Sequence, residues 1–385
     1  MENVYIIDAV RTPIGRGRED GALHGIHPVD LLAMTLHEVV TRAGIKKEQV
    51  EDVIAGCVSP TKEQGANVAR LALLKAGFPA HVPGVQLNRM CGSGQQAVHF
   101  ASQAIAAGDM SLAIGAGVEM MGTVPMGSDW GGLTDKFLAE FPFPLAPMGV
   151  CAERVAEKWG LNRRDLDEFS CESHHRAGKA RAAGYFHGQI MPVPVGSNGS
   201  TQYVTEDEGI RPTADVEKMG TLKTPFKEGG MVTAGNASQI SDGASAVLVA
   251  SGRKADELGL RKRARIVARA VIGSDPELTL TGPIPATKLA LEKAGLTIDA
   301  IDVIEINEAF ASVVLAWAKE LKPDMARVNP NGGAIAMGHP LGASGAILMT
   351  KMLNELERTG ARYGLQTMCI GHGMATATII ERVAH

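Results

Sequence analysis

Several features that would place this chain in other classes of protein are scarce or missing. Aromatic residues make up 4% of the 385 residues, and no stretch approaches the roughly 20 apolar residues that a membrane-spanning helix needs. The five cysteines are odd in number and scattered, with no Cys-x-x-Cys pair, so neither a disulfide framework nor a zinc knuckle is predicted. The N-terminus has no basic leader, which argues against a secretory signal. We therefore expect free thiols and a cytoplasmic location.

An excess of charge of one sign is missing too. The 38 Lys and Arg residues nearly balance the 42 Asp and Glu residues, for a formal net charge of -4. Such a chain has no broad cationic field, so nucleic acid and anionic membranes are not expected partners. An anionic ligand must be held by local groups. The sequence also lacks a phosphate-binding P-loop, a Gly-x-Ser-x-Gly turn and a zinc-protease helix, so neither a metal nor a resident cofactor is predicted.

Glycine is abundant, with 45 residues, which suits helices packed closely on sheets. Short apolar runs alternate with helix-length segments, a pattern typical of an α/β protein with a buried sheet. The predicted strands are Val4–Val10, Val53–Ala55, Leu112–Ala116, Ala246–Ala250, Ile266–Val271, Val303–Ile306 and Ala375–Ile380.

The two ends of the chain resemble each other. Residues 36–54 and 288–304 each read as an amphipathic helix, a glycine stop, a polar turn and a strand. Each half then has a glycine-rich turn before a long helix, predicted at Gln95–Ala107 and Ala346–Glu357. Two related halves are one interpretation, and chance similarity between common α/β units is the other. Between them, residues 121–239 are rich in proline and polar turns and look like an insertion.

Cys91 is the first candidate for a reactive group. It lies between the apolar stretch Val85–Leu87 and the turn Gly92–Gly94, so we expect it at the start of the helix near Gln95. Unpaired N–H groups and the helix dipole there favour the thiolate. A small buried core cysteine is the alternative.

Two further candidates lie in glycine-rich segments of the second half. His339 precedes the second long helix and could serve as the base for a cysteine nucleophile. Cys369 ends an apolar run ahead of Gly371 and Gly373. Alone, each could be structural.

Together these segments resemble the thiolase family, and the resemblance runs over essentially the whole chain. The matching blocks are NRMCGSG at 88–94, NEAF at 307–310, NGGAIAMGHPLGASG at 331–345 and CIGHG at 369–373. The resemblance implies a thiolase fold: two similar βαβαβαββ halves that form a five-layered αβαβα core, with an inserted loop domain. The implied boundaries are 1–120 with 240–262 for the N-terminal half, 121–239 for the loop domain over the active site, and 263–385 for the C-terminal half.

The resemblance also implies roles for individual residues. Cys91 is the nucleophile that carries the acyl group, His339 is its base and an oxyanion donor, and Cys369 is the acid and base that acts on the methyl group of acetyl-CoA. Asn307 serves the enolate oxygen through a water, and the backbone N–H of Gly371 serves the acyl oxygen.

Coenzyme A contacts follow from the same resemblance at Arg211, Ser238 and Met148. The chain departs from many thiolases at His372 and Pro147. His372 could tune Cys369 or narrow the acyl channel, or its side chain could point away. Pro147 removes a possible polar contact.

The implied activity is that of an acyltransferase that cleaves 3-oxoacyl-CoA with coenzyme A, as in fatty acid β-oxidation. Residues 119–126 and 331–336 look more like degradative 3-ketoacyl-CoA thiolases than like biosynthetic acetoacetyl-CoA thiolases, which are the alternative. Weaker alternatives are a non-catalytic lipid-binding subunit, and an NAD-dependent oxidoreductase suggested by the G-x-G-x-x-A pattern at 92–97. Expected partners are a second copy, as dimer or tetramer, and hydratase or dehydrogenase subunits.

Overall fold

All seven of the predicted apolar runs form strands. The computed structural model describes residues 2–196 and 201–384, and the predicted inserted segment therefore includes four residues, 197–200, that lie outside the described residues. The strands are β1 (Val4–Arg11), β2 (Gly15–Arg16), β3 (Asp52–Gly56), β4 (Gly84–Leu87), β5 (Leu112–Met120), β6 (Val193–Val195), β7 (Gln202–Val204), β8 (Ser241–Ser251), β9 (Ala264–Gly273), β10 (Val303–Ile306), β11 (Tyr363–Ile370) and β12 (Met374–Arg382).

The helices occupy the amphipathic segments, and several of them begin within glycine-rich segments. They are α1 (Pro28–Ala43), α2 (Val68–Lys75), α3 (Ser93–Ala107), α4 (Asp135–Glu140), α5 (Met148–Lys158), α6 (Arg163–Ala182), α7 (Val216–Gly220), α8 (Gly252–Glu257), α9 (Pro283–Ala294), α10 (Ala311–Leu321), α11 (Ala334–Met337) and α12 (Leu341–Thr359). Among the described residues, none of these helices has the length and apolar character to cross a membrane.

The main sheet has the same pairing pattern in both halves. Its order is β10-β11-β12-β9-β1-β8-β5-β3-β4, and β2 pairs with β8. In the N-terminal half, β1 is antiparallel to β8, β8 is antiparallel to β5, and β5 is parallel to β3. The C-terminal half repeats this with β9, β12, β11 and β10. In the N-terminal half, β3 also pairs in parallel with β4. The corresponding contact in the C-terminal half is a single parallel bridge between Ile304 of β10 and Val328.

The sequence similarity between residues 36–54 and 288–304 corresponds to this structural repeat. Helix α1 ends at Gly44 with φ 68°, and α9 ends at Gly295 with φ 65°. Each is followed by a short 3₁₀ turn and then by a strand, β3 or β10. A left-handed residue after a helix is most easily glycine, which is why the same stop appears twice in the sequence.

Three of the apolar clusters join the five layers, and the middle cluster covers both faces of the central helix layer. One core joins α1 and α2 to the N-terminal half of the sheet, and another joins α9 and α10 to the C-terminal half. The third lies between the halves and is built from α3 and α12 with strands of both. The predicted α/β fold with an αβαβα core is confirmed.

The long segment between β5 and β8 carries α4 to α7 and the hairpin of β6 and β7. Strand β8 returns to pair between β1 and β5. Helices α5 and α6 both pack against α10 of the C-terminal half. We keep the division at 1–120 with 240–262, 121–239 and 263–385 as a proposal.

Candidate active site

The starts of α3 and α12 meet in the middle layer, and each follows a predicted reactive residue. Cys91 lies two residues before α3, and His339 lies two residues before α12. The backbones touch: a Cβ added at Gly345 would lie 2.0 Å from the backbone nitrogen of Gln95. The expectation that the turn continues to Gly345 is wrong, because α12 already begins at Leu341. The glycines at its start allow close packing against α3.

The ends of the parallel strands β10 and β11 supply the other two candidates. Asn307 directly follows β10, and its N–H donates to Thr367 O at 3.0 Å. Cys369 lies in β11 and is 1% exposed. The backbone N–H groups of Gly371 and of Cys91 itself lie near the Cys91 sulfur and act to lower its pKa. The structure thus brings together the four residues Cys91, Cys369, Asn307 and Gly371.

Both ring nitrogens of His339 have partners. Nδ1 lies 2.5 Å from Ser344 Oγ, and Ser344 Oγ donates its own proton to Pro340 O at 2.8 Å. We assign the ring proton to Nδ1, because the Ser344 hydroxyl has Pro340 O as its acceptor, and this tautomer leaves the lone pair on Nε2. Nε2 lies 3.3 Å from Asn307 Nδ2. Burial lowers the pKa of His339 to about 4, so the ring is a neutral, oriented base near pH 7.

Burial favours the protonated form of both thiols. Burial raises the pKa of Cys91 to about 11, although the N–H groups of Gly371 and Cys91 oppose this. Burial raises the pKa of Cys369 further, and the charge of a Cys91 thiolate adds to that rise. Desolvation therefore opposes the preference for a thiolate that the helix start gives Cys91, which makes a base such as His339 necessary. Among the described residues, no hydrogen bond joins the Cys91 sulfur to His339.

Apolar side chains flank both cysteines. Val58, Met121 and Leu341 form a small cluster against which Met90 and Cys91 pack. Cys369 belongs to a separate cluster with residues of α5 and α10, and Met148 packs against that cluster. Methionine side chains adapt to differently shaped partners, so the surroundings of Cys91 suit an acyl chain.

The predicted coenzyme A contacts separate into two places. Arg211 and Ser238 line one cavity of about 490 Å³, whereas Met148 lies near Cys369. The cavity is linked to the reactive centre because Ser238 N–H donates to Ala309 O at 2.9 Å, two residues beyond Asn307. A larger cavity of about 580 Å³ lies between α6 and α10, and none of the predicted site residues line it.

Sequence reasoning missed Glu119, which links the two halves beside the site. Its buried carboxylate accepts from the N–H groups of Val58 at 2.8 Å, Ser59 at 3.1 Å and Gly342 at 2.8 Å, and from Gln64 Nε2 at 2.7 Å. Gly342 belongs to the first turn of α12, so this carboxylate fixes the His339 segment against the N-terminal half. A single acidic residue in the otherwise apolar strand β5 was the available signal.

The two departures from the family pattern lie at the edge of the site. His372 has φ 62° and an exposed side chain. Pro147 is the residue before α5, directly ahead of Met148.

The start of α3 is not a dinucleotide site. A Cβ at Gly94 would lie 2.7 Å from Gly342 O and 2.9 Å from Ala346 N. The glycine pattern at 92–97 therefore serves contact with α12, which leaves no space for a pyrophosphate at this turn.

Comparisons with known proteins agree with this geometry. The model of the thiolase N-terminal domain matches residues 4–253, and that of the thiolase C-terminal domain matches residues 260–382. The steroid 3-ketoacyl-CoA thiolase FadA6 of Mycobacterium tuberculosis is 50% identical, over 100% of this chain and 95% of that protein. The β-ketoadipyl-CoA thiolase of Escherichia coli is 44% identical, over 100% of both chains. The crystal structure of Bacillus anthracis acetyl-CoA acetyltransferase superimposes with a TM-score of 0.92 at 38% identity, covering 100% of this chain and 99% of that one.

Proposed function

The chain belongs to the thiolase family of acyltransferases, and we propose that it catalyses the reversible thiolysis of 3-oxoacyl-CoA by coenzyme A. The products are acetyl-CoA and an acyl-CoA that is two carbons shorter. The observation that carries the proposal is the convergence of Cys91, His339, Cys369 and Asn307 at one site. The degradative direction is supported by relatives named 3-ketoacyl-CoA thiolase, such as that of Aliivibrio fischeri at 44% identity. Condensation of two acetyl-CoA molecules is the second candidate, supported by the acetyltransferase structure at 38% identity.

The first step is acyl transfer to Cys91. His339 Nε2 takes the thiol proton while the sulfur attacks the 3-oxo carbon. Burial raises the pKa of the Cys91 thiol and lowers the pKa of His339, so a separated thiolate and imidazolium are disfavoured relative to the neutral pair. Proton transfer therefore accompanies attack instead of preceding it. The N–H groups of Cys91 and Gly371 stabilise the oxyanion that forms.

The second step releases acetyl-CoA. The C2–C3 bond breaks, the acyl group stays on Cys91 as a thioester, and the enolate of acetyl-CoA takes a proton from Cys369. Protonated His339 and a water held by Asn307 stabilise the enolate oxygen. Asn307 Oδ1 is buried and has no hydrogen-bond partner among the described residues, which supports a water at this position.

The third step returns the enzyme to its starting state. The Cys369 thiolate takes the proton of coenzyme A, whose sulfur attacks the acyl group, and His339 returns its proton to Cys91. In reverse, Cys369 can act as a base most readily after acylation, because the acyl thioester carries no charge to raise its pKa. The two cysteines therefore act in sequence.

Coenzyme A enters as a substrate, and we propose no resident cofactor or metal. Arg211 and Ser238 would bind it in their shared cavity, and Met148 would line the path to Cys369. We also propose a cytoplasmic homodimer or homotetramer with a role in fatty acid β-oxidation, with or without hydratase and dehydrogenase subunits. Light scattering after size exclusion measures the assembly of the purified chain.

Steady-state thiolysis of a 3-oxoacyl-CoA series of increasing chain length tests the proposal. We expect turnover on at least one member longer than acetoacetyl-CoA, and none with Cys91→Ala. Activity on acetoacetyl-CoA alone would favour the biosynthetic candidate. A folded protein with no turnover on any member would reject the thiolase activity.

A further inference from the structure

The cavity lined by Arg211 and Ser238 is also lined by Arg18. Like that of Arg211, the Arg18 guanidinium has no hydrogen-bond or ion-pair partner among the described residues. We propose that Arg18 and Arg211 together bind the phosphate groups of coenzyme A, and that Arg18 is a binding residue of this site. The proposal rests on the proposed function, because it takes coenzyme A as the substrate.

Three arginines line this cavity, but only two of them are available to a ligand. Arg16 is held by Glu208, with Nε 2.8 Å from Oε1. Arg18 and Arg211 are exposed, and within residues 2–196 and 201–384 neither guanidinium has a hydrogen-bond or ion-pair partner. The described residues that line the cavity include no Asp or Glu. The local charge is therefore positive on a chain whose net charge is -4.

Buried contacts fix the chain segments that carry the two guanidinium groups. Arg11 makes two bonds to Asp207, at 2.7 and 2.9 Å, and both side chains are fully buried. Asp207 also accepts from Ile14 N–H at 2.9 Å, and Glu208 N–H donates to Ile14 O at 2.9 Å. Residues 11–16 and 207–208 are therefore tied together, a few residues from Arg18 and Arg211 respectively.

A further contact holds the Arg18 segment at the cavity itself. Gly17 N–H donates to Ile240 O at 2.9 Å, and both residues line the cavity. Arg18 N–H donates back to Arg16 O at 2.8 Å, which closes a tight turn. Because the backbone is held before a ligand arrives, little of it needs to be ordered on binding.

The chemistry of the arginine pair suits phosphate. A guanidinium presents a planar fork of donors that matches two oxygens of a phosphate group. Coenzyme A carries a diphosphate and a 3′-phosphate, and two guanidinium groups from different segments can contact different oxygens of these groups. Ser238 adds a hydroxyl in the same cavity.

The experiment compares three thiol acceptors in the thiolysis of one 3-oxoacyl-CoA: coenzyme A, dephospho-CoA and pantetheine. For Arg18→Gln we expect KM for coenzyme A to rise about tenfold, the loss of one charge-assisted contact to phosphate, with kcat little changed. Pantetheine has no phosphate, so its KM should not change. An effect that persists with dephospho-CoA assigns Arg18 to the diphosphate, and one that disappears assigns it to the 3′-phosphate.

The matched control is Arg253→Gln, which removes the same charge from an exposed arginine of α8 outside the cavity. It should leave all three KM values unchanged. Equal KM for coenzyme A in the wild type and Arg18→Gln, or an equal rise with pantetheine, would overturn the proposal for Arg18. If the Arg18 proposal fails but the wild type turns over in those assays, the proposed thiolase activity still stands. Absence of turnover in the wild type would reject the activity itself.

Discussion

The helix starts and the strand ends contribute differently to the reactive centre. The starts of α3 and α12 supply Cys91 and His339, a nucleophile and a base. The ends of β10 and β11 supply Asn307 and Cys369, which lie beside the enolate in the proposed mechanism. Acyl transfer therefore depends mainly on the first region, and enolate chemistry mainly on the second.

The two regions also differ in how their groups are held. His339 is oriented by hydrogen bonds on both nitrogens, whereas Cys369 is held by apolar packing and its pKa is raised by burial. A polar network fixes one protonation state and direction, while apolar packing keeps a thiol neutral until chemistry changes the charge beside it. Substitutions should therefore separate the two half-reactions.

The largest expected effect comes from breaking the strand-end region alone. Cys369→Ala should lower the exchange of acetyl-CoA methyl protons with solvent about a thousandfold, because the group that moves this proton is gone. The variant should still form an acyl-enzyme at Cys91, visible by mass spectrometry, and Cys91→Ser should not. Exchange at the wild-type rate would show that Cys369 does not carry this proton.

A smaller effect is expected from the polar network at the helix start. Ser344→Ala removes the acceptor of the His339 Nδ1 proton, so the ring can rotate or change tautomer. We expect kcat to fall about thirtyfold, by analogy with the roughly tenfold to hundredfold losses when a metal-ligating histidine loses the hydrogen bond that orients its ring. Ser344→Thr keeps the hydroxyl and should recover part of the rate. If both variants lose the same activity, the loss would reflect altered packing of α12.

The smallest expected effect tests the protonation state of Cys91 in the free enzyme. Alkylation of Cys91 by iodoacetamide in the free enzyme should speed up by about tenfold per pH unit between pH 7 and 9, because a thiol with a pKa of about 11 gains thiolate over this whole range. Peptide mass spectrometry identifies the alkylated cysteine, with Cys91→Ser as the control. A constant rate from pH 7 upward would instead indicate a preformed thiolate–imidazolium pair.

The sequence predicts the strands best where apolar runs are uninterrupted. Strand β10 is predicted at both its ends, Val303 and Ile306. Strand β5 extends to Met120, beyond the predicted Ala116, since glycines interrupt the apolar pattern. Gly115 is needed because its Cβ would lie 2.6 Å from Val98 Cα of α3. A requirement of tertiary packing is not visible in local periodicity.

The same limitation affects the site. Short motifs indicated Cys91, His339, Cys369 and Asn307, because each lies in a distinctive local sequence. Glu119 was missed, since its importance depends on distant partners: Glu119 and Gly342 are 223 residues apart. Such contacts follow from the fold and have no local pattern of their own.

The backbone contact between α3 and α12 has a consequence for changing the enzyme's substrate range. With a Cβ at Gly345 only 2.0 Å from Gln95 N, the spacing of the two helix starts is fixed by main-chain atoms and offers no room for gradual adjustment. Selection for new acyl groups should therefore leave residues 92–94 and 342–345 unchanged. Adaptive changes should accumulate instead in the apolar wall formed by Val58, Met90 and Met121, where volume can be altered one methylene at a time.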